Sequence, residues 1–346
     1  MFEKPAGRKL QENPEEHKKL FKKTKDFLVA IDTDGCIVDN MNAKQMLIFH
    51  PLYMEFYQLW KIESYFREVA EFYNLFSVHR GCNRFIAIRL ILMALNSRKD
   101  VQSQVEKMNV VVPNIEPVDQ YIEFCRNNNS GMGNISLSQF ISTRPLDFEL
   151  YKLSGWSHAV NKALDVIVDK IQPFENVREC LEMIYKHADI AVVSQTPYQD
   201  LFNYWDTHDL LKYVKIICGQ EMGSKTYHIE ILKKIGKYSD EQVLMIGDAP
   251  GDLDAIKKNN GFFYPVTPGI ENDSWKQFSE AFGLFLQGKY HVEMEQHLID
   301  EFSKALPDTP PWQNQNYNHV VAYRKNQEIR KSLYEQFNPD GRLLIL

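Results

Sequence analysis

Short apolar runs in the chain predict the strands of a buried sheet. A run of this length bounded by turn residues is typical of a strand that is covered on both faces. The predicted strands cover residues 27–31, 190–193, 214–217, 243–246 and 261–265. Each of the last four follows a stretch of helical period. These predicted helices cover residues 176–187, 199–211, 226–236 and 251–259. Strands that alternate with helices favour a parallel sheet with right-handed crossover connections.

The region from about residue 43 to about residue 168 has a different pattern, which is aromatic-rich and helical in period. Apolar residues such as Met46, Phe49, Tyr53 and Phe56 recur there at helical spacings, which indicates core packing. The strand at 27–31 needs the later strands as partners, so this region is predicted to be an insertion. The predicted fold class is therefore α/β, with a Rossmann-like parallel sheet core and an inserted all-helical subdomain.

The predicted domain organisation has four parts. They are a polar N-terminal arm (1–25), an α/β core (26–41 and 171–306), a helical insertion (42–170) and a C-terminal extension (307–346). Further helices are expected within 272–305, and one is expected near 325–336. The oligomeric state and the roles of the arm and the extension are left open.

The composition of the chain argues against several classes of function. The formal net charge of -6 argues against a nucleic-acid binder, whose footprint is usually a basic face. The five cysteines have no C-x-x-C spacing, so neither a disulfide framework nor a zinc site is expected, and a reducing compartment fits. The charged N-terminus resembles no signal peptide, and no apolar stretch is long enough to span a membrane. We expect a cytoplasmic protein without nucleic-acid or membrane partners.

The first chemical signal is the segment Asp32–Thr33–Asp34–Gly35, directly after the first predicted strand. Carboxylates at i and i+2 on extended backbone point to the same side and need a cation between them, or a shared proton. A carboxylate can also attack phosphorus and form an aspartyl phosphate. The alternative interpretation is a strand-end turn, in which Asp and Gly are common.

Three further signals follow later predicted strands. Ser194 could donate to a phosphoryl oxygen, with Thr196 as an alternative donor, although serine also caps helices. Lys225 could neutralise charge between a carboxylate and a phosphate, although an isolated lysine is usually a solvated surface residue. Asp248 and Asp252 lie at a strand-to-helix turn, where Asp252 could simply cap the helix. Ligands bind at the carboxyl ends of strands in open α/β sheets, so these sites are expected to converge.

This ordered set of residues resembles the motifs of the haloacid dehalogenase-like superfamily. The matches to the four motifs are Asp32–Thr33–Asp34–Gly35, then Ser194, then Lys225, then Gly247–Asp248 with Asp252. The resemblance covers residues 26–41 and about 171–268, and the helical insertion takes the place of the helical cap of many members. Cys36 departs from the usual Thr at that place, which is structural rather than chemical.

The resemblance implies a mechanism and a cofactor. Asp32 would be the nucleophile, and Asp34 would protonate the leaving oxygen and then activate water. The implied catalytic residues are Asp32, Asp34, Ser194 and Lys225, and the implied ligands of Mg²⁺ are Asp32, Asp34 (through its backbone carbonyl), Asp248 and Asp252. An acid at position 34 favours a phosphatase over carbon–halogen or phosphonate cleavage. The alternatives are a phosphomutase of the same superfamily and a non-catalytic binding protein with the same fold.

The expected substrate is a small phosphate ester, because a large cap usually excludes polymeric substrates in this family. Arg80, Asn83 and Arg84 in the insertion are candidate substrate-binding residues. Arg80 and Arg84 are four residues apart and are predicted to share a helix face, and arginine suits bidentate capture of anions. The alternative is a pair of surface salt bridges to Glu68 or Glu71.

Overall fold

The computed structural model describes residues 14–167 and 170–337, which divide into two units. The sheet unit consists of residues 14–41 and 170–306, and the helical unit consists of residues 42–167 and 307–337. No helix in the described part of the chain is both long enough and apolar enough to cross a membrane.

The sheet unit is built on five parallel strands. They are β1 (Phe27–Ile31), β2 (Ala188–Val193), β3 (Val214–Cys218), β4 (Val243–Gly247) and β5 (Phe262–Pro265). The strand order is β3-β2-β1-β4-β5, and each neighbouring pair is parallel. The chain therefore changes direction across the sheet between β1 and β4, which is where open α/β sheets bind ligands. The predicted parallel α/β sheet is confirmed.

The apolar runs form strands because both faces of the sheet are covered. Every residue of β2 and of β4 is buried, and full burial of one Val or Ile side chain contributes about 1.5–3 kcal/mol. The covering helices of the sheet unit are Pro14–Lys18, Val177–His187, Tyr198–Thr207, Lys225–Gly236, Pro250–Lys257, Glu271–Leu286, Tyr290–Glu293 and Glu295–Ala305. Short 3-10 turns cover Leu211–Tyr213, Gln220–Met222 and Asp240–Gln242.

One helix is shorter than the sequence predicts. The helix expected over 199–211 ends at Thr207, because Asp209 has a left-handed backbone with φ of 53°. A helix cannot continue through that conformation.

The described end of the N-terminal arm packs on the sheet unit. Lys18 is buried, donates from Nζ to the carbonyl of Met222 at 2.7 Å and lies 3.9 Å from the ring centroid of Tyr227. Residues 1–13 of the predicted arm lie outside the described residues.

The helical unit contains no strand among its described residues, as the predicted all-helical insertion requires. Its helices are His50–Tyr57, Glu63–Leu75, Arg84–Ser97, Lys99–Met108, Glu116–Asn127, Asn134–Ser142, Phe148–Ile167 and His319–Phe337, with Asn40–Lys44 at the entry. A π-helical turn covers Gln45–Phe49, and 3-10 turns cover Trp60–Ile62 and Pro311–Gln313. Buried rings of Tyr53, Phe66, Phe85 and Trp156 form its core.

The C-terminal segment belongs to the helical unit rather than standing apart. Its helix, His319–Phe337, begins six residues earlier than predicted and packs on the Glu63–Leu75 helix. Glu71 accepts hydrogen bonds from Arg330 and, at 2.7 Å, from Asn326. Buried carboxylates paired with cations and amides therefore fix this segment on the helical unit.

Candidate active site

Three predicted site residues follow neighbouring strands at the carboxyl edge of the sheet. Asp32 follows β1, Ser194 follows β2 and Asp248 follows β4, and all three are buried. Asp32 continues the ladder, since its N–H donates to the carbonyl of Ile246 at 3.0 Å. Because β1 lies between β2 and β4, the topology places Asp32 between the other two.

Lys225 reaches this edge from the first turn of the Lys225–Gly236 helix. Its Nζ lies 2.5 Å from Oδ2 of Asp32 and 2.6 Å from Oδ1 of Asp252. Burial disfavours the charge of the ammonium, but attraction to Asp252 and Asp32 outweighs it and raises the pKa of Lys225 above its usual value. The lysine is therefore a fixed cation beside the predicted nucleophile.

Asp252 orients that lysine and also caps a helix. It is fully buried, and its Oδ2 accepts from the backbone N–H of Ala249 at 3.2 Å in a capping arrangement. Burial is the main reason that the pKa of Asp252 is raised to about 7. Lys225 lowers that pKa, whereas Asp32 and Asp248 raise it further. Asp252 therefore caps the helix and contacts Lys225, and its role as a site residue stays a prediction.

The donor set fits a magnesium ion. Carboxylate oxygens of Asp32, Asp248 and Asp252 all lie within 4.8 Å of one another. Three buried carboxylates carry more negative charge than Lys225 neutralises, and oxygen ligands suit Mg²⁺. Both oxygens of Asp252 accept hydrogen bonds, and so do both oxygens of Asp32.

Asp34 is not part of that carboxylate cluster. Its Oδ1 accepts from Nδ2 of Asn40, and its Oδ2 accepts from Oγ1 of Thr196 at 2.7 Å. Gly35 lets the chain turn here with φ of 73°. The side chain of Asp34 is therefore held apart from the metal ligands, which leaves its backbone carbonyl as the donor implied by the family resemblance.

Ser194 and Thr196 have different roles in the loop after β2. Oγ of Ser194 accepts from the backbone N–H of Thr196 at 3.3 Å. The hydroxyl of Thr196 instead donates to Oδ2 of Asp34. Which of the two hydroxyls would contact a phosphoryl oxygen stays a prediction. Asn40 and this use of Thr196 are what sequence reasoning missed.

Two buried tryptophans support the loop that carries the first motif. Nε1 of Trp205 donates to Oγ1 of Thr33 at 3.0 Å, and Nε1 of Trp275 donates to the carbonyl of Cys36 at 2.8 Å. Burial, followed by the charge of Asp248, raises the pKa of the Cys36 thiol. Cys36 therefore stays a neutral core residue, and no spacing in the sequence pointed to either tryptophan.

The prediction that Arg80 and Arg84 share a helix face is wrong. The helix begins at Arg84, with Asn83 as its cap, so Arg80 lies in the preceding turn. Arg80 is buried and donates to the carbonyl of Leu75 at 3.1 Å. Asn83 accepts from the N–H of Phe85 at 3.0 Å, which explains its place before the helix.

Arg84 is held within the helical unit by uncharged acceptors. Its Nη1 donates to Oγ of Ser157 at 3.1 Å and to Oδ1 of Asn161 at 2.8 Å. The expected salt bridges to Glu68 or Glu71 are also wrong, since within the described residues Glu68 pairs with Arg98 and His319, and Glu71 pairs with Arg330. Contact of Arg80, Asn83 and Arg84 with substrate stays a prediction.

Comparison with known proteins finds one family model that is similar to part of the chain. A family model described as haloacid dehalogenase-like hydrolase matches residues 96–264. The match includes Ser194, Lys225, Asp248 and Asp252, and it begins after the first motif. No curated protein matches the chain.

Solved structures similar to the chain include three bacterial proteins. A haloacid dehalogenase-like family hydrolase from Streptococcus pneumoniae is 10% identical, with 72% of this chain and 90% of that chain covered and a TM-score of 0.36. A HAD-superfamily hydrolase from Geobacter sulfurreducens is 12% identical, with 69% and 86% covered and a TM-score of 0.34. A candidate phosphoglycolate phosphatase from Lactobacillus delbrueckii subsp. bulgaricus is 14% identical, with 74% and 92% covered and a TM-score of 0.42.

The family match agrees with the site. The motif residues occur in the family's order, and Asp32, Ser194, Lys225 and Asp248 are placed around the carboxyl edge of a parallel sheet. The chain is therefore similar to the haloacid dehalogenase-like hydrolases over residues 96–264, and its site has the arrangement that this resemblance implies.

Proposed function

We propose that this chain is a magnesium-dependent phosphatase that hydrolyses a small phosphorylated metabolite through an aspartyl phosphate on Asp32. The observation that carries the proposal is the contact of Lys225 with Asp32 at 2.5 Å, with Asp248 and Asp252 beside it. A buried carboxylate nucleophile next to a fixed cation suits phosphoryl transfer, which depends on positioning and charge neutralisation.

In the first step, a carboxylate oxygen of Asp32 forms a bond to phosphorus while the ester P–O bond breaks. Thr33 helps to orient the nucleophile, because its backbone N–H donates to Oδ1 of Asp32 at 2.7 Å. Lys225 and Ser194 would bind the phosphoryl oxygens, and Asp34 would give its proton to the leaving oxygen.

In the second step, Asp34 takes a proton from water as the water oxygen bonds to phosphorus. The bond between Asp32 and phosphorus breaks, inorganic phosphate leaves and Asp34 is again protonated. Asp32 and Asp248, with the backbone carbonyl of Asp34, would hold Mg²⁺, which when bound neutralises charge on the transferring phosphoryl group.

The size of the substrate and its contacts rest on the family resemblance. The helical unit is large, and in this family such insertions limit access to small molecules. Arg80, Asn83 and Arg84 remain the candidate substrate contacts. The cysteines of the described residues are all free, which fits a reducing compartment such as the cytoplasm.

The test is release of inorganic phosphate from a panel of small phosphate esters, with Mg²⁺ and with chelator. The Asp32→Asn variant is expected to lose at least about a thousandfold in kcat/KM. The matched control is Asp254→Asn, because Asp254 is exposed and lies on the same helix as Asp252. Equal release by wild type and Asp32→Asn would contradict the proposal.

The same assay distinguishes a phosphatase from the alternative phosphomutase. Transfer of phosphate between positions of a sugar phosphate, without release of inorganic phosphate, would favour that alternative. A folded protein that neither releases nor transfers phosphate but binds phosphate esters would favour a binding protein.

A further inference from the structure

Two side chains with different hydrogen-bonding abilities hold the carboxyl group of Asp34. Asn40 is buried and bonds to Oδ1, while Thr196 bonds to Oδ2 at 2.7 Å. Asn40 lies six residues after Asp34, at the start of the Asn40–Lys44 helix, whereas Thr196 comes from the loop after β2. Neither residue is among the matched motif positions.

The orientation of the Asn40 amide is fixed by the turn itself. Its Oδ1 accepts from the backbone N–H of Gly35 at 3.1 Å. Because that group can only donate, the oxygen of Asn40 must face Gly35 and its NH2 must face Asp34. Oδ1 of Asp34 therefore faces a group that donates and never accepts.

Thr196 offers the opposite property, because a hydroxyl can donate or accept and can rotate between the two. Oδ2 of Asp34 keeps a compatible partner in Thr196 whether or not that oxygen carries a proton. A proton on Oδ1 would instead point at the NH2 of Asn40.

We propose that Asn40 and Thr196 are positioning residues that make Oδ2 of Asp34 the oxygen that delivers the proton to the leaving group. This inference rests on the proposed function, in which Asp34 is the acid of the first step. The proton moves from Oδ2 to the ester oxygen as the P–O bond breaks, and the hydroxyl of Thr196 then rotates to donate to the carboxylate. Asn40 holds Oδ1 throughout.

The alternative is that both side chains merely hold the loop together. The two roles differ in how the reaction depends on the leaving group. An alkoxide needs a proton in order to leave, whereas p-nitrophenolate is a stable anion and does not. Damage to the loop would displace Asp32 and slow both reactions, whereas a misplaced acid would slow only the first.

The experiment measures kcat/KM of the full chain with Mg²⁺ for β-glycerophosphate and for p-nitrophenyl phosphate. This parameter reports steps up to departure of the leaving group, so later hydrolysis of the aspartyl phosphate does not obscure it. For Asn40→Ala and for Thr196→Val, we expect a loss of about 10- to 100-fold on the alkyl ester. The loss on the aryl ester is expected to stay within about threefold, since that step needs little acid catalysis. Thr196→Ser, which keeps the hydroxyl, is expected to regain most of the alkyl-ester activity that Thr196→Val loses. Asp254→Asn is expected to match wild type on both esters.

Equal losses on the two esters, or no loss on either, would overturn the positioning role while leaving the phosphatase intact. The Asp34→Asn variant tests whether Asp34 is the acid at all. If it is, this variant should lose far more kcat/KM on the alkyl ester than on the aryl ester. Suppose that Asp34→Asn slows only the alkyl ester, whereas Asn40→Ala and Thr196→Val slow both esters equally. This result would refute the positioning role and leave the proposed phosphatase standing. Wild-type protein that hydrolyses neither ester nor any of the wider panel would overturn both.

Discussion

Buried carboxylates lie toward both ends of the sheet, and their surroundings differ. Near the amino end, Asp189 of β2 is fully buried among several hydrogen-bond donors, and Nζ of Lys215 lies 4.0 Å from its Oδ1. It accepts from the backbone N–H groups of Thr24 at 2.6 Å and Lys25 at 3.0 Å, and from the hydroxyl of Tyr238 at 2.7 Å. The hydroxyl of Thr24 supplies a further donor at 2.5 Å. At this end, one acid is matched by several donors.

At the carboxyl edge, several carboxylates instead lie close to one another. Asp32 and Asp252 share Lys225 as an ion-pair partner, and carboxylate oxygens of Asp32, Asp248 and Asp252 lie within 4.8 Å of one another. Hydrogen bonds satisfy a buried polar group, whereas an excess of like charge calls for a further cation. A carboxylate surrounded by donors stabilises the fold, whereas three carboxylates close together suit the proposed binding of a cation and a phosphate. If the proposed function holds, the same residue type serves stability near one end and chemistry at the other.

Removing the cation of the carboxyl edge should have the largest effect. Lys225→Met keeps most of the length of the side chain but removes the ammonium that pairs with Asp32 and Asp252. We expect kcat/KM for p-nitrophenyl phosphate to fall about a thousandfold, because charge on the phosphoryl group is no longer neutralised. Lys234→Met, an exposed position on the same helix, is the control. A loss of less than about tenfold would mean that Lys225 is not part of the reaction.

Removing the carboxylate near the amino end should affect stability alone. Asp189→Ala removes the acceptor of the donors on Thr24, Lys25 and Tyr238, of which the Tyr238 hydrogen bond is buried. Urea unfolding should show a free energy of unfolding lower by about 3 kcal/mol, with kcat/KM of the folded protein unchanged. Asp254→Ala is the exposed control. Loss of activity in stable Asp189→Ala protein would show that the two ends are coupled.

Gly247→Ala tests how closely the carboxyl edge is packed. A Cβ at Gly247 would lie 2.4 Å from Cβ and Cγ of Asp252, so that acid must move and take Lys225 with it. We expect destabilisation of about 1–3 kcal/mol together with a loss of activity. Gly251→Ala is the matched control, since nothing lies within 4 Å of the added atom. Full activity in Gly247→Ala would mean that the position of Asp252 is not critical.

The sequence predicts the sheet and the strand-end residues because both depend on local pattern. Apolar runs define strands, and parallel strands bring residues such as Asp32 and Asp248 to one edge. Asn40 and Trp205 could not be predicted, because their roles depend on which loops meet in the folded chain. The prediction that Arg80 and Arg84 share a helix face failed for a local reason, because a turn and the capping residue Asn83 precede the helix.

The smallest change that still separates the two ends is Tyr238→Phe. It removes one hydroxyl donor from Asp189 and leaves the ring in place. Because the other donors of Asp189 remain, we expect the free energy of unfolding to fall by only about 1–2 kcal/mol, with kcat/KM unchanged. Tyr185→Phe is the control, since Tyr185 is 40% exposed. If Tyr238→Phe lowers the free energy of unfolding as much as Asp189→Ala does, the Tyr238 hydroxyl supplies most of the stabilisation of Asp189. The other hydrogen bonds to this carboxylate would then contribute little.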